Sequence, residues 1–154
     1  MGVVNIKNPS NEVVNEIRNW LINKGYEPGH IFVVNYVYVN VSSKISKEDL
    51  IEFKNLFKSD LTLSGVSYNQ YGRLTEVEYH CFHPALEKYE VMLVDWLCDN
   101  VFPSAFFTLN RGISLTCSEK LSKEQISSFE REFEVTCRKF ELSCNSDNIC
   151  YTFS

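Results

Sequence analysis

Apolar residues recur along this chain with helical spacing in four places. From about residue 11 to 24, and again from about 85 to 99, they follow one another at three- and four-residue steps. Two shorter stretches of this kind begin after Ser46 and Ser122, and serine is typical of a helix N-cap. Four helices are therefore predicted. Their apolar faces consist of Val13, Ile17, Trp20 and Leu21; Leu50, Phe53, Leu56 and Phe57; Leu86, Tyr89, Leu93, Trp96 and Leu97; and Ile126, Phe129 and Phe133.

Segments rich in β-branched and aromatic residues predict strands between these helices. One long strand is expected at about 31–41 and another at about 105–117. Two shorter strands follow each of the serine-capped helices, and their connections have the Asn, Gly and Asp residues of tight turns. The short strands lie near 61–68 and 73–81, joined by Asn69–Gly72, and near 139–144 and 149–153, joined by residues 145–148.

The two halves of the chain share sequence as well as the order of their predicted elements. Residues 44–57 match residues 120–133 at six of fourteen positions without a gap, at an offset of 76. Trp20 recurs as Trp96 at the same offset. Convergence is the alternative, because Ser-Lys-Glu is a common helix opening and phenylalanines four residues apart are a common core stripe. We interpret the pattern as an internal duplication.

The fold class predicted from these elements is α+β. Each copy, about 10–81 and about 85–154, reads helix–strand–helix–strand–strand. No linker rich in Pro, Gly or Ser separates the copies, and each is small for a core of its own. One domain spanning 1–154 is therefore expected, with an antiparallel sheet covered on one face by the helices.

The two long predicted strands agree at their odd-numbered positions and differ at their even-numbered ones. The odd positions are apolar in both copies, so both predict the same buried face. The even positions are polar or small in the second copy but apolar and aromatic in the first. They are Phe32, Val34, Tyr36 and Tyr38 in the first copy, against Thr108, Asn110, Gly112 and Ser114 in the second.

Two explanations of the even-numbered face compete. A structural explanation covers it with the N-terminal segment Val3–Ile6, or makes the strand central and buried on both sides. A functional explanation makes it a binding surface, since exposed aromatic patches with polar rims mark interfaces. In that case Tyr68, Tyr71, Glu76 and Glu78 would form a rim of tyrosines and carboxylates.

Composition and charge narrow the classes of partner. The formal net charge of −5 disfavours nucleic acid and anionic membranes, because phosphate binding needs clustered Lys and Arg. It is compatible with a basic protein partner. The chain shows neither an apolar run of membrane-spanning length nor a signal sequence, so a cytoplasmic protein is expected. The six cysteines form no Cys-x-x-Cys pair, which favours reduced, mainly buried thiols.

Residues with catalytic or metal-binding chemistry are few. His80, Cys81 and His83 are the one cluster of metal-ligand types, but neighbours in a strand point to opposite faces. Glu76 and Glu78 alternate in the manner of a solvated strand face. The chain has no Gly-x-Ser-x-Gly elbow and no glycine-rich phosphate loop. No catalytic residue, metal site or cofactor is therefore predicted.

Without the leading helices, the two predicted strand–helix–strand–strand units resemble the organisation of the gyrase-inhibitor-like effector-binding domains. That resemblance is topological and carries no shared motif. It implies a pocket between the two copies that holds a small molecule, and this is the alternative function. The leading hypothesis is a non-enzymatic cytoplasmic protein, monomeric or homodimeric, that binds and blocks another, basic protein. An inhibitor, an immunity protein or an anti-defence factor would fit.

Overall fold

A computed structural model describes residues 7–101, 105–142 and 148–154, and its fold is α+β, as the sequence predicts. Each helix is followed by two strands, and the order of elements is the same in both halves. In chain order they are α1 (Ser10–Asn23), β1 (Pro28–Val34), β2 (Tyr36–Val41), α2 (Lys47–Phe57), β3 (Thr62–Tyr68), β4 (Leu74–Cys81), α3 (Pro84–Asn100), β5 (Ala105–Leu109), β6 (Ile113–Cys117), α4 (Lys123–Phe133), β7 (Cys137–Leu142) and β8 (Ile149–Phe153).

The strands form two antiparallel sheets of four strands with identical topology. The first has the order β1-β2-β4-β3, and the second has the order β5-β6-β8-β7. The bounds of α2 and α4 also differ by the offset of 76 residues that the sequence shows. The fold thus bears out the predicted duplication. The chain divides into two compact units, the first unit at Ser10–Glu87 and the second unit at Lys88–Ser154 with residues 7–9.

The prediction of one long strand in each copy is wrong, because both segments are hairpins. In the first copy Asn35 adopts a left-handed conformation (φ 62°), and Val34 pairs with Tyr36 across it. In the second copy the chain reverses between Asn110 and Gly112. Each hairpin pairs odd positions with odd positions, so the alternation of apolar residues continues through the reversal. The alternation alone therefore could not reveal the turn.

The extra strand also changes what the unit resembles. Each repeat has two strands, not one, between its two helices. The strand–helix–strand–strand unit that suggested an effector-binding domain is therefore not the unit of this fold.

Helices bury one apolar face against the odd-numbered side of each sheet. In the first unit Val33, Val37 and Val39 are almost inaccessible to solvent. Trp20 of α1 meets Phe53 of α2 edge-on, with ring centroids 5.3 Å apart, and Trp96 meets Phe129 in the same way at 4.9 Å. Both repeats therefore use the same tryptophan–phenylalanine contact in their cores.

Helix starts follow the predicted capping chemistry. Ser122 and Gln125 form a complete capping box at α4. In α2 the Ser46 hydroxyl accepts a hydrogen bond from Asp49 N–H, but Ser46 N–H donates to Tyr26 Oη, at 3.0 Å, and not to the side chain of Asp49. Tyr26 in turn donates to Asp49 Oδ2 at 2.6 Å. Aspartate is one methylene shorter than glutamine, and here the tyrosine hydroxyl bridges to the backbone in its place.

The final hairpins of the two copies are not aligned at the offset of 76. Val39 pairs with Tyr79 in the first sheet, and Leu115, the counterpart of Val39, pairs with Tyr151 in the second. Tyr79 and Tyr151 are only 72 residues apart, so the second hairpin is the shorter one. Its predicted turn, residues 145–148, lies outside the described residues apart from Asn148.

The described cysteines agree only in part with the expectation of mainly buried thiols. Cys81 and Cys117 are buried free thiols, Cys137 and Cys150 are half-buried, and Cys98 is exposed. Within the described residues no helix combines the length and apolar character needed to cross a bilayer. Cys144 lies outside the described residues.

Candidate functional site

The outer side of the first sheet, away from the helices, carries the residues that distinguish the first copy. Val34 and Tyr36 are 44% and 45% exposed, while Phe32 and Tyr38 are half-buried. The described part of the chain therefore leaves this face open to solvent. The segment Val3–Ile6, expected in one explanation to cover it, lies outside the described residues.

Aromatic rings on this side form a continuous set of contacts across three strands. Phe32 of β1 stacks on Tyr38 of β2, with centroids 5.1 Å apart and planes 12° from parallel. His30 packs on Phe32 at 4.8 Å. Tyr36 reaches His80 at 5.8 Å and Phe82 at 5.3 Å. We call this set the aromatic face, and it consists of His30, Phe32, Tyr36, Tyr38, His80 and Phe82.

Sequence reasoning missed three members of the aromatic face. His30, His80 and Phe82 stand outside the run of even-numbered positions from 32 to 38 that indicated the surface. His80 and Phe82 join it because β2 pairs with β4 in the register Tyr38↔His80. His30 joins it because it precedes Phe32 by two residues in β1 and packs on its ring. The alternation within β4 signals an outward His80, but strand order and register are not readable from the sequence.

The structure brings only part of the predicted rim to this surface. Glu78 is half-buried on the outer side and pairs across the strands with Asn40. Glu76 is exposed two residues further along β4. Tyr68 and Tyr71 are 64% and 79% exposed, but they lie at the β3–β4 turn, beyond Glu76 and at the other end of β4 from His80.

A buried amide lies beside the aromatic face. Asn40 is 4% exposed, and its Nδ2 donates to His30 O at 2.9 Å, where β1 has a bulge opposite it. Its Oδ1 is buried and accepts no hydrogen bond from the described residues. A buried acceptor without a donor is destabilising, and this oxygen lies too deep for a partner to contact it.

The same side of the second sheet is chemically different. The counterparts of Phe32 and Tyr38 are Thr108 and Ser114, and those of Glu78 and His80, by strand pairing, are Cys150 and Thr152. Phe106 is the exception, because it is 61% exposed and faces Thr116. Since both sheets have the same topology, the fold does not require an aromatic outer face.

The histidine and cysteine cluster is divided between the two sides of β4. Cys81 points to the helices, and burial raises the pKa of its thiol to about 12. His80 faces outward and contacts the Ser64 hydroxyl. His83 caps α3, its Nδ1 accepting from Ala85 N–H at 3.1 Å, and burial lowers the pKa of its imidazole. In the described residues no three ligand-type side chains come together to hold a metal.

A cleft of about 640 Å³ lies on the helical side of the first unit. Trp20 and Phe57 provide aromatic walls, and Glu16 and Lys58 are charged groups at its margin. Leu56, which the apolar stripe of α2 predicts to be buried, is 59% exposed and lines this cleft. The other lining residues are Asn19, Asn23, His83 and Pro84.

Compared with models of known protein families, with curated proteins and with solved structures, the chain matches none. A function is therefore inferred from two surfaces of the first unit, the aromatic face and the cleft.

Proposed function

We propose that the protein is a non-enzymatic binding protein whose aromatic face docks onto another, basic protein and blocks it. An inhibitor, an immunity protein or an anti-defence factor acts in this way. The observation that carries the proposal is the difference between the copies. Both sheets have one topology, yet among the described residues only the first sheet has stacked rings across its outer side.

Interface chemistry supports this proposal. Aromatic side chains at the centre of an interface supply much of the binding energy, because they bury large rigid surfaces at low entropic cost. Glu76 and Glu78 lie beside the rings, and the net charge of −5 favours encounter with a basic surface.

The test replaces aromatic residues by those of the second copy at the same positions. The double variant Phe32→Thr and Tyr38→Ser takes the side chains of Thr108 and Ser114. We expect the free energy of unfolding to fall by no more than about 2 kcal/mol, since both rings are half-buried and their stacking is worth about 1 kcal/mol. Proteins that co-purify with the wild type should be identified, purified and titrated against the wild type and the double variant. We expect the double variant to lose its affinity for the true partner.

Phe106→Thr is the matched control, because it removes an exposed ring from the outer side of the second sheet. It should bind the partner as the wild type does. If the free energy of unfolding of the double variant falls by much more than about 2 kcal/mol, the two rings belong to the core. A stable double variant with undiminished affinity would place the interface elsewhere.

Small-molecule binding is a second candidate function, and the cleft in the first unit is the observation that favours it. Its volume falls in the range of ligand pockets, and it combines aromatic walls with a few polar groups. This cleft lies within one unit, whereas the sequence-based hypothesis places a pocket between the copies. Small aromatic compounds should raise the melting temperature of the wild type but not of Leu56→Glu, which takes the residue of α4 at that position, Glu132. Equal shifts in both would exclude the cleft.

A further inference from the structure

Glu78, a carboxylate beside the aromatic face, forms no ion pair with the described residues. Glu78 is half-buried between Glu76 and His80 on the outer side of β4. Within the described ranges neither Glu78 nor Glu76 takes part in an ion pair. A partly buried carboxylate is stabilised by a positive group, and the described part of this chain does not supply one by ion pairing.

A pair of stacked rings lies beside this carboxylate. Asn40 is directly across the strands from Glu78. Tyr38 lies two residues before Asn40 on the same side and is diagonal to Glu78, a spacing of about 7–8 Å between Cα atoms. The stack of Tyr38 and Phe32 is therefore adjacent to the carboxylate of Glu78.

This combination is selective among cations. An arginine guanidinium is planar, stacks on aromatic rings and offers several N–H donors in a fixed fork. A lysine ammonium is a compact, strongly hydrated charge, and it cannot stack as a plane on a ring while it donates to a neighbouring carboxylate. Stacked rings beside a carboxylate thus fit a guanidinium better than an ammonium.

We infer that the aromatic face recognises an arginine side chain of the partner, with the guanidinium packed against the Phe32–Tyr38 stack and its N–H groups directed to Glu78. This inference rests on the proposed function, because it names the group by which a basic protein is held. The second sheet could not do this, since its corresponding residues are Thr108, Ser114 and Cys150.

The experiment uses the full chain and two synthetic peptides of equal length and charge, in which glycine alternates with arginine or with lysine. Affinities are measured at low ionic strength by titration of the ¹⁵N-labelled protein. We expect the arginine peptide to bind about tenfold more tightly than the lysine peptide and to shift the signals of β2 and β4. Glu78→Gln and Tyr38→Ser should each remove most of that difference.

Glu141→Gln is the matched control, because it removes the same charge from β7, whose residue Glu141 pairs with Cys150, the counterpart of Glu78. It should leave the difference between the peptides unchanged. Glu78→Gln alters no backbone contact and replaces one polar group by another of similar size, so it tests the inference even if Tyr38→Ser weakens the fold.

The outcomes separate the inference from the proposed function. If both peptides bind equally and Glu78→Gln weakens both, arginine recognition is overturned while docking of a basic partner stands. If the arginine preference persists in Glu78→Gln and Tyr38→Ser, the arginine site lies elsewhere and the inference is overturned. If neither peptide binds the wild type, the inference is overturned and the proposed function loses its charge argument. In that case, titration of the true partner against the double variant Phe32→Thr and Tyr38→Ser would still test whether the partner docks on the aromatic face.

Discussion

At the scale of single residues, one buried tyrosine in each copy accepts the same backbone hydrogen bond. Tyr79 Oη accepts a hydrogen bond from Ile45 N–H at 3.0 Å, and Tyr151 Oη accepts one from Leu121 N–H at 2.9 Å. Both N–H groups belong to the residue just before a helix N-cap, so neither is satisfied by its helix. The phenolic oxygen provides an acceptor inside the core, where water does not reach.

Removal of either hydroxyl should leave a buried N–H group without an acceptor. We expect Tyr79→Phe and Tyr151→Phe each to lower the free energy of unfolding by about 1–3 kcal/mol. Urea titration followed by circular dichroism measures this. Tyr71→Phe serves as the control, because Tyr71 is 79% exposed and should unfold like the wild type. Core variants no less stable than this control would contradict the prediction.

At the scale of elements, the N-cap N–H groups of α2 and α4 donate hydrogen bonds to different side chains. In α4 the Gln125 side chain accepts from the N-cap N–H at 2.8 Å. In α2 the shorter Asp49 needs the hydroxyl of Tyr26 as a bridge. The hydrogen bond from Tyr26 holds the pKa of Asp49 below its usual value, because it stabilises the ionised carboxylate.

This difference predicts that variants at the two helix starts will depend differently on pH. Since the pKa of Asp49 is lowered in the folded state, the bond from Tyr26 stabilises the fold above the ordinary pKa of aspartate, 3.8, and this is lost as the pH falls through the lowered value. Tyr26→Phe should therefore be destabilising at pH 6, and the difference from the wild type should shrink towards pH 2. Gln125→Ala should cost about the same at both pH values, as neither Gln125 nor Ser122 titrates there. Denaturation at a series of pH values checks this, and a constant deficit in Tyr26→Phe would refute it.

At the scale of the whole molecule, each unit contains a buried thiol that reports its unfolding. Burial raises the pKa of Cys81 in the first unit to about 12 and that of Cys117 in the second unit to about 11. Cys98 is exposed. Because the thiolate is the reactive form, a buried neutral thiol reacts slowly until its surroundings open.

Alkylation with iodoacetamide at rising urea concentration, read by mass spectrometry, should label Cys98 in the native protein. Cys81 and Cys117 should become labelled only on unfolding. The prediction of a single domain made of two repeats requires both to become reactive at the same urea concentration. Two separate midpoints would show that the repeats unfold independently and would reject the single domain.

The alternation of residues in the strands shows how far sequence reasoning reached towards the candidate site. It placed Phe32, Val34, Tyr36 and Tyr38 on one side, and the described part of the chain leaves that side open to solvent. It could not place Tyr68 and Tyr71, because the distance of the β3–β4 turn from β2 depends on strand order. It also gave no reason to join His80 to Tyr38, which are neighbours only through pairing between distant segments.

The sequence by itself determined the four helices, the serine caps of α2 and α4, the duplication and the buried face of each long apolar segment. The helices and caps follow from contacts within a few residues. The buried face follows from the alternation of apolar residues, which is unchanged where the chain reverses in a hairpin. Only the tertiary structure decided that each long apolar segment is a hairpin, that Tyr26 completes the cap of α2, and that rings from three strands form one aromatic face. Each of these depends on which distant segments pair and in which register, and hydrophobic alternation is the same for every register that keeps the apolar side buried.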